Sequence, residues 1–152
     1  MRGFRVLLLT VAMALAGLVT TAGASGSAVP TAPARVDGTP CSATARACVN
    51  LSENRAWLIR DGVVEYGPVP VAHGRKGHRT PPGTFRVAFH SRHHVSSIYG
   101  SRMPYSVFFN GGIAFHQGDL GGRSHGCVRL SRSAAQMFFA TLQRGDVVQV
   151  VR

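Results

Sequence analysis

The stretch "FRVAFHS", Phe85–Ser91, sets Phe85, Val87 and Phe89 against Arg86, Ala88 and His90. This alternation has the period of two expected of a half-buried β-strand, because successive side chains leave opposite faces. We therefore expect one strand here, entered through a turn in "RTPPGTF" (79–85). Downstream, "YSVFFN" (105–110) and "GIAFH" (112–116) read as two more strands with the glycines of "GG" between them. "CVRL" (127–130) is short, and "DVVQVV" (146–151) is the last strand. Upstream, "CVNLS" (48–52) and "AWLIR" (56–60) form a pair joined through "ENR". Asp61–Gly62 is a turn signal leading into "VVEYGPVPVA" (63–72), whose prolines fit an edge strand.

One segment breaks the pattern. In "SRSAAQMFFATLQRG" (131–145), Ala135, Phe138, Phe139 and Leu142 recur at i, i+3, i+4 and i+7, which puts them on one helical face. Ser131 is the expected N-cap, Arg144 suits the helix C-terminus and Gly145 can end it. The expected fold is mostly β and two-layered, with one short α-helix after the cysteine packed at one side.

The 152-residue chain does not all belong to that fold. Arg2 and Arg5 precede an apolar run at Val6–Val19, and Ala22 and Ala24 form an A-x-A pattern. That combination reads as a secretory signal over 1–24. The run is shorter than the roughly 20 residues a membrane-spanning helix needs, so no span is expected after processing. Residues 25–40, rich in Ser, Ala, Pro and Gly, read as a flexible leader, and 41–152 as the folded domain. Without Arg2 and Arg5 the basic count falls from 17 to 15 against 6 acids, a net charge of +9. No basic run interleaved with aromatics appears, which argues against nucleic acid; an exported basic chain meets anionic surfaces instead.

Three cysteines in an exported domain pose an odd-thiol question. Cys41 and Cys48 can close a small disulfide loop, which leaves Cys127 free. A thiol becomes a nucleophile when a base or a positive charge favours its thiolate. Gly126 removes a side chain where a carbonyl must approach. Arg129, about 6.6 Å further along an extended chain, shares the face of Cys127, while Val128 and Leu130 point to the core. Arg129 can bind a substrate carboxylate, support the thiolate or form a plain surface ion pair. Adjacent side chains on an extended chain diverge, so His125 is a site-shaping residue. His116, at the end of "GIAFH" and joined to the cysteine by the glycine-rich "QGDLGGR", is the expected base.

These residues resemble a known family. "SHGCVRL" (124–130) is similar to the signature of the L,D-transpeptidases with a YkuD-type catalytic domain, and "TPPGTF", "MPYSVFFNGGIAFH" and "GDVVQV" resemble further family segments. The resemblance covers about 48–152 and implies a β-sandwich-like domain acting on peptidoglycan stem peptides. It implies attack by Cys127 on the bond between the third and fourth stem residues, with His116 as base. An acyl-enzyme then passes to the amine of another stem as a 3→3 crosslink. Ser124, His125 and Gly126 become the surrounding site residues, with backbone N–H groups near Gly126–Cys127 as oxyanion hole. Tyr105 would line the substrate groove beside Met103. The resemblance calls for no cofactor, implies acylation by carbapenem-type β-lactams and places the enzyme outside the cytoplasm at the cell wall. The seven residues between His116 and Ser124 are fewer than in many members.

Other readings compete. An L,D-carboxypeptidase would use water as acceptor. A sortase-like enzyme would need a different strand before its cysteine. A zinc hydrolase would draw on His90, His93, His94 and His116. A wall-binding module would need no thiol.

Overall fold

The computed structural model describes residues 34–152. The expected signal at 1–24 lies outside the described residues. Among the described residues no helix is long and apolar enough to cross a membrane.

Among the described residues nine strands and one helix follow in the order β1 (Ala47–Asn50), β2 (Arg55–Arg60), β3 (Val63–Pro70), β4 (Gly83–Arg86), β5 (Phe89–Val95), β6 (Arg102–Asn110), β7 (Ile113–Gln117), β8 (Val128–Leu130), α1 (Arg132–Thr141) and β9 (Val147–Val151). They form a five-stranded sheet, β3-β2-β1-β9-β4, and a four-stranded sheet, β5-β6-β7-β8. The fold is mostly β, two sheets and a helix, as the alternation in the sequence requires.

The two sheets share one apolar core. Val49, Leu58, Val148 and Val150 come from the first sheet, Val107, Phe109, Phe115, Val128 and Leu130 from the second, and Phe138 from α1. Each sheet also carries a smaller apolar cluster outside that core. Val36, Cys41, Ala45, Cys48, Trp57 and Ile59 form one; Met103, Phe108 and Ala114, with Cys127 against them, form the other. β1 is therefore buried along its whole length. Residues on such a strand have apolar neighbours on both faces.

Several sequence expectations shift. The "FRVAFHS" alternation spans two strands, not one. After β4 has paired with β9, Val87 N–H bonds to Asp146 O, and Ala88 N–H bonds to Phe108 O in β6. The chain thus changes sheets at Val87–Ala88, burying Val87 in the core and leaving Phe89 stacked on Phe108. The β1–β2 connection is Leu51–Asn54, with Asn50 Oδ1 accepting from Ser52 N–H and Glu53 N–H, and Arg55 already belongs to β2. Asp61 and Gly62 both have positive φ (51° and 76°), the turn that matches the twist of a two-residue hairpin, and β3 is an edge strand as expected.

Ser131 caps α1, its Oγ accepting from Ala134 N–H at 3.3 Å. The helix ends at Thr141, ahead of the expected Arg144 and Gly145. Leu142 turns extended to bury its side chain, and Gln143 N–H bonds to Asp146 Oδ2 at 2.7 Å to close the turn beyond. The expected flexible leader, 25–40, is packed against the domain where it is described. Of 25–40 the structure describes 34–40, and there Val36 and Thr39 are buried, with Val36 N–H bonded to Cys41 O. Val36 of this segment packs with Cys41, Trp57 and Ile59 on the outer face of the first sheet. The Cys41–Cys48 disulfide, with Cα atoms 5.9 Å apart, fastens it there.

Candidate active site

β7 and β8 run parallel, with Phe115 opposite Val128 and His116 opposite Arg129. Phe115, Val128 and Leu130 face the core, so the alternate residues His116, Cys127 and Arg129 fall on the other face of the second sheet. They line one cleft of about 270 Å³, together with Met103, Ser124 and His125. The sequence-predicted residues thus converge, with two exceptions: Gly126 belongs to the turn before Cys127 without lining the cleft, and Tyr105 lies apart. Tyr105 is not among the residues lining this cleft. Its φ of 59° turns it toward α1, where its hydroxyl accepts from Gln136 Nε2 at 2.9 Å and its ring meets the edge of Phe139. The guanidinium of Arg92 lies 5.6 Å from the same ring.

The cysteine turn is pinched out by its flanks. Ser124 N–H bonds to His73 O and Arg75 N–H to Ser124 O, both at 3.0 Å, while Ala72 and Arg129 exchange backbone bonds at 3.1 and 2.7 Å. Within the turn, Ser124 Oγ accepts from Gly126 N–H at 3.0 Å and donates to Cys127 O at 2.5 Å. Gly126 has φ of +120°, which a side chain at that position would strain. Thr80, only 1% exposed, accepts from Gly74 N–H at 3.0 Å and donates through Oγ1 to Gly126 O at 2.7 Å. A trans peptide points its carbonyl and N–H in opposite directions. Holding Gly126 O at Thr80 therefore turns the Cys127 N–H away from Thr80. The Gly126 N–H, expected as an oxyanion donor, is instead occupied by Ser124 Oγ.

Burial pushes the Cys127 thiol up, against the opposing effects of the Ala114 N–H and the charge of Arg129. The thiol donates to Gly112 O at 3.6 Å. His116, 6% exposed, is pushed down by burial; the Gln117 carbonyl opposes this, and the charges of Arg129 and His94 add to it. Its Nδ1 lies 2.7 Å from Gln117 O, a pure acceptor, so Nδ1 carries the proton and Nε2 is left with its lone pair. The resting pair is thus a neutral thiol and a neutral imidazole.

His125 is exposed and stacks on Tyr99, with centroids 4.2 Å apart, and on the edge of His78 at 4.9 Å. Desolvation, then the charges of Arg75, His78 and Arg129, keep it below the ordinary histidine range. Met103 is buried at the floor of the cleft beside Phe108 and Ala114. Sequence reasoning missed Tyr99 and Thr80. Tyr99 and Ile98 are exposed apolar residues in a short loop of serines and glycine, which was the available signal. In the sequence Thr80 reads only as part of the turn in "RTPPGTF".

The zinc alternative finds no focus. His90 Nε2 lies 2.9 Å from Leu142 O and the ring of His94 meets Phe108. Among the described residues no group of three or more His, Cys, Asp or Glu side chains is placed to hold a metal ion.

Residues 44–150 match the family model of the YkuD L,D-transpeptidase catalytic domain. Among solved structures, an L,D-transpeptidase (Yku) from Stackebrandtia nassauensis is 32% identical with a TM-score of 0.67, over 70% of this chain and 54% of that one. An L,D-transpeptidase from Mycobacterium tuberculosis H37Rv is 25% identical with a TM-score of 0.66, over 73% and 59%. The L,D-transpeptidase LdtMt1 in complex with imipenem is 25% identical with a TM-score of 0.63, over 69% and 57%. The chain therefore spans little more than half the length of these proteins. No match was found among curated proteins. With the family model matched across both sheets, the helix and the cysteine turn, this chain belongs to the YkuD family of L,D-transpeptidase catalytic domains.

Proposed function

We propose that the protein is a cysteine-dependent L,D-transpeptidase of peptidoglycan, exported and working at the cell wall. The observation that carries this reading is the placement of a free thiol, Cys127, and a buried neutral imidazole, His116, in one cleft beside a fixed cysteine turn.

In this mechanism the carbonyl of the third stem residue enters beside Cys127. His116 Nε2 takes the thiol proton as sulfur attacks, and the charge moves to the carbonyl oxygen. The Cys127 N–H, aimed by Thr80 through Gly126 O, donates to that oxyanion. When the tetrahedral adduct collapses, the bond to the fourth residue breaks and its amine leaves with the proton from His116. The thioester is then attacked by the side-chain amine of a second stem, His116 taking that proton and returning it to sulfur. Arg129 keeps positive charge beside the thiol. Thr80 and Ser124 act as positioning residues and Cys127 and His116 as the reacting groups.

The test is incubation of purified protein with stem tetrapeptides or muropeptides, followed by mass analysis. Crosslinked dimers are expected together with the released fourth residue, and Cys127→Ser should give neither. Release without dimers would assign water as the acceptor and an L,D-carboxypeptidase activity.

A further inference from the structure

Across the Arg123–His125 stretch from the thiol cleft lies a second cleft of about 270 Å³. Arg75, Lys76, Arg79, Arg123 and Arg152 all line it, and no acidic residue does. The ion pairs among the described residues involve Arg46 and Arg60, so no Asp or Glu side chain lies within pairing distance of any of these five. Five of the 15 basic residues of the described chain (17 less Arg2 and Arg5) thus crowd one concavity unpaired.

The cleft rests on a fixed frame. Gly74 N–H is held by Thr80, Arg75 N–H by Ser124 O, and His78 N–H by Arg75 O at 2.9 Å, so one closed loop presents Arg75, Lys76 and Arg79 together. From the other side, Arg123 Nη1 lies 3.0 and 3.4 Å from the two ring nitrogens of His73, which is itself anchored by Nε2 at 3.0 Å from Leu51 O. Burial and the charge of Arg123 hold His73 below the ordinary histidine range, so it supports Arg123 as a neutral ring.

Guanidinium groups stay charged at any physiological pH, and like charges gathered in one concavity repel. A single carboxylate would answer one of the five. A chain with repeated negative groups answers several at once, and the planar guanidinium fork matches phosphate oxygens. We propose that this cleft is a docking site for a linear phosphate polyanion, which would hold the enzyme against an anionic phosphate polymer outside the cell while the thiol cleft works on its own substrate.

The test is fluorescence anisotropy of labelled linear polyphosphate with the purified protein, with salt as the variable. The triple variant Lys76→Gln, Arg79→Gln, Arg152→Gln should weaken binding by at least tenfold, on the order expected for lost phosphate contacts, and flatten the log–log salt slope by about 2, at roughly 0.7 per contact. A control, Arg35→Gln, Arg102→Gln, Arg144→Gln, removes the same charge at exposed positions elsewhere and should bind as the parent does. Equal weakening in both variants would overturn the site in favour of net charge alone. So would tighter binding to anionic phospholipid vesicles or to an oligonucleotide of matched charge, or equal competition by polyglutamate. Carbapenem labelling of the same variants reports separately on the thiol cleft, so failure here does not count against the proposed activity.

Discussion

Thr80 Oγ1 donates a 2.7 Å hydrogen bond to Gly126 O, the carbonyl that immediately precedes Cys127. The hydroxyl is buried, and the same oxygen accepts from Gly74 N–H. A side chain from the "TPPGTF" turn therefore sets the orientation of the peptide next to the thiol. Thr80→Val should slow acylation by on the order of 10–10²-fold through misalignment of the Cys127 N–H. Thr80→Ser should restore most of it. Alkylation of Cys127 by iodoacetamide, which develops no oxyanion, should change little in either variant. If Thr80→Val slowed both reactions alike, the hydroxyl would be acting on the thiol or the fold rather than on the oxyanion donor.

Acylation by a carbapenem should add one adduct to the protein, mapped to Cys127 by intact-mass and peptide analysis, and Cys127→Ser should remain unmodified. His116→Ala should lower the rate by about 10²–10⁴-fold, the usual contribution of positioned proton transfer. His125→Ala should act less severely, because its ring is exposed against Tyr99 and His78. Loss of labelling in His125→Ala alone would exchange the two roles.

The pH dependence follows from the burial of His116. Its folded pKa lies below the ordinary value of 6.5, so the unfolded chain binds a proton more readily than the folded one below that pH. Stability contributed by the neutral ring is present above 6.5 and is lost as pH falls through the folded value. The acid limb of the acylation profile should likewise fall below the ordinary histidine range. Thermal melts at stepped pH should show His116→Gln losing less stability on acidification than the parent does.

Tyr105 and Tyr99 should separate cleanly. Tyr105→Phe removes a hydroxyl bonded to Gln136 outside the thiol cleft, and its acylation rate should match the parent. Tyr99→Ala removes the ring stacked on His125 at the cleft wall and should raise KM for stem peptides more than it lowers kcat. The reverse pattern would return Tyr105 to the groove.

Opening the Cys41–Cys48 bridge should cost stability and little activity. The bridge closes a short loop and holds Val36 over Trp57 and Ile59, on the sheet that does not carry the thiol. The double variant Cys41→Ala, Cys48→Ala should lose roughly 2 kcal/mol in denaturant unfolding, as expected for so short a loop. Carbapenem labelling of Cys127 should continue in its folded fraction. A bridge to Cys127 in peptide maps of active protein would contradict the nucleophile assignment.

Local rules in the sequence determined the strands, the helix face and the side of the sheet that carries Cys127. Alternation placed Val128 and Leu130 in the core and left Cys127 and Arg129 on the other face, because side chains on a strand alternate regardless of its partners. The Asp61–Gly62 turn and the Ser131 cap are likewise local, since each is fixed by bonds within a few residues. Tertiary structure decided what depends on distant partners. Alternation continues through Val87, but only Asp146 and Phe108 reveal that the chain changes sheets there. Tyr105 sits two residues from Met103 and would share its face in a regular strand, yet its positive φ and the α1 side chains turn it away. Leu142 left the helix early because the core, not the helix cap, had a place for it. The grip of Thr80 on Gly126 spans 46 residues of chain, and the basic cleft gathers residues from 75 to 152. Neither has a period or spacing in the sequence, because hydrogen bonding and charge act through space and only the packed sheets set those distances.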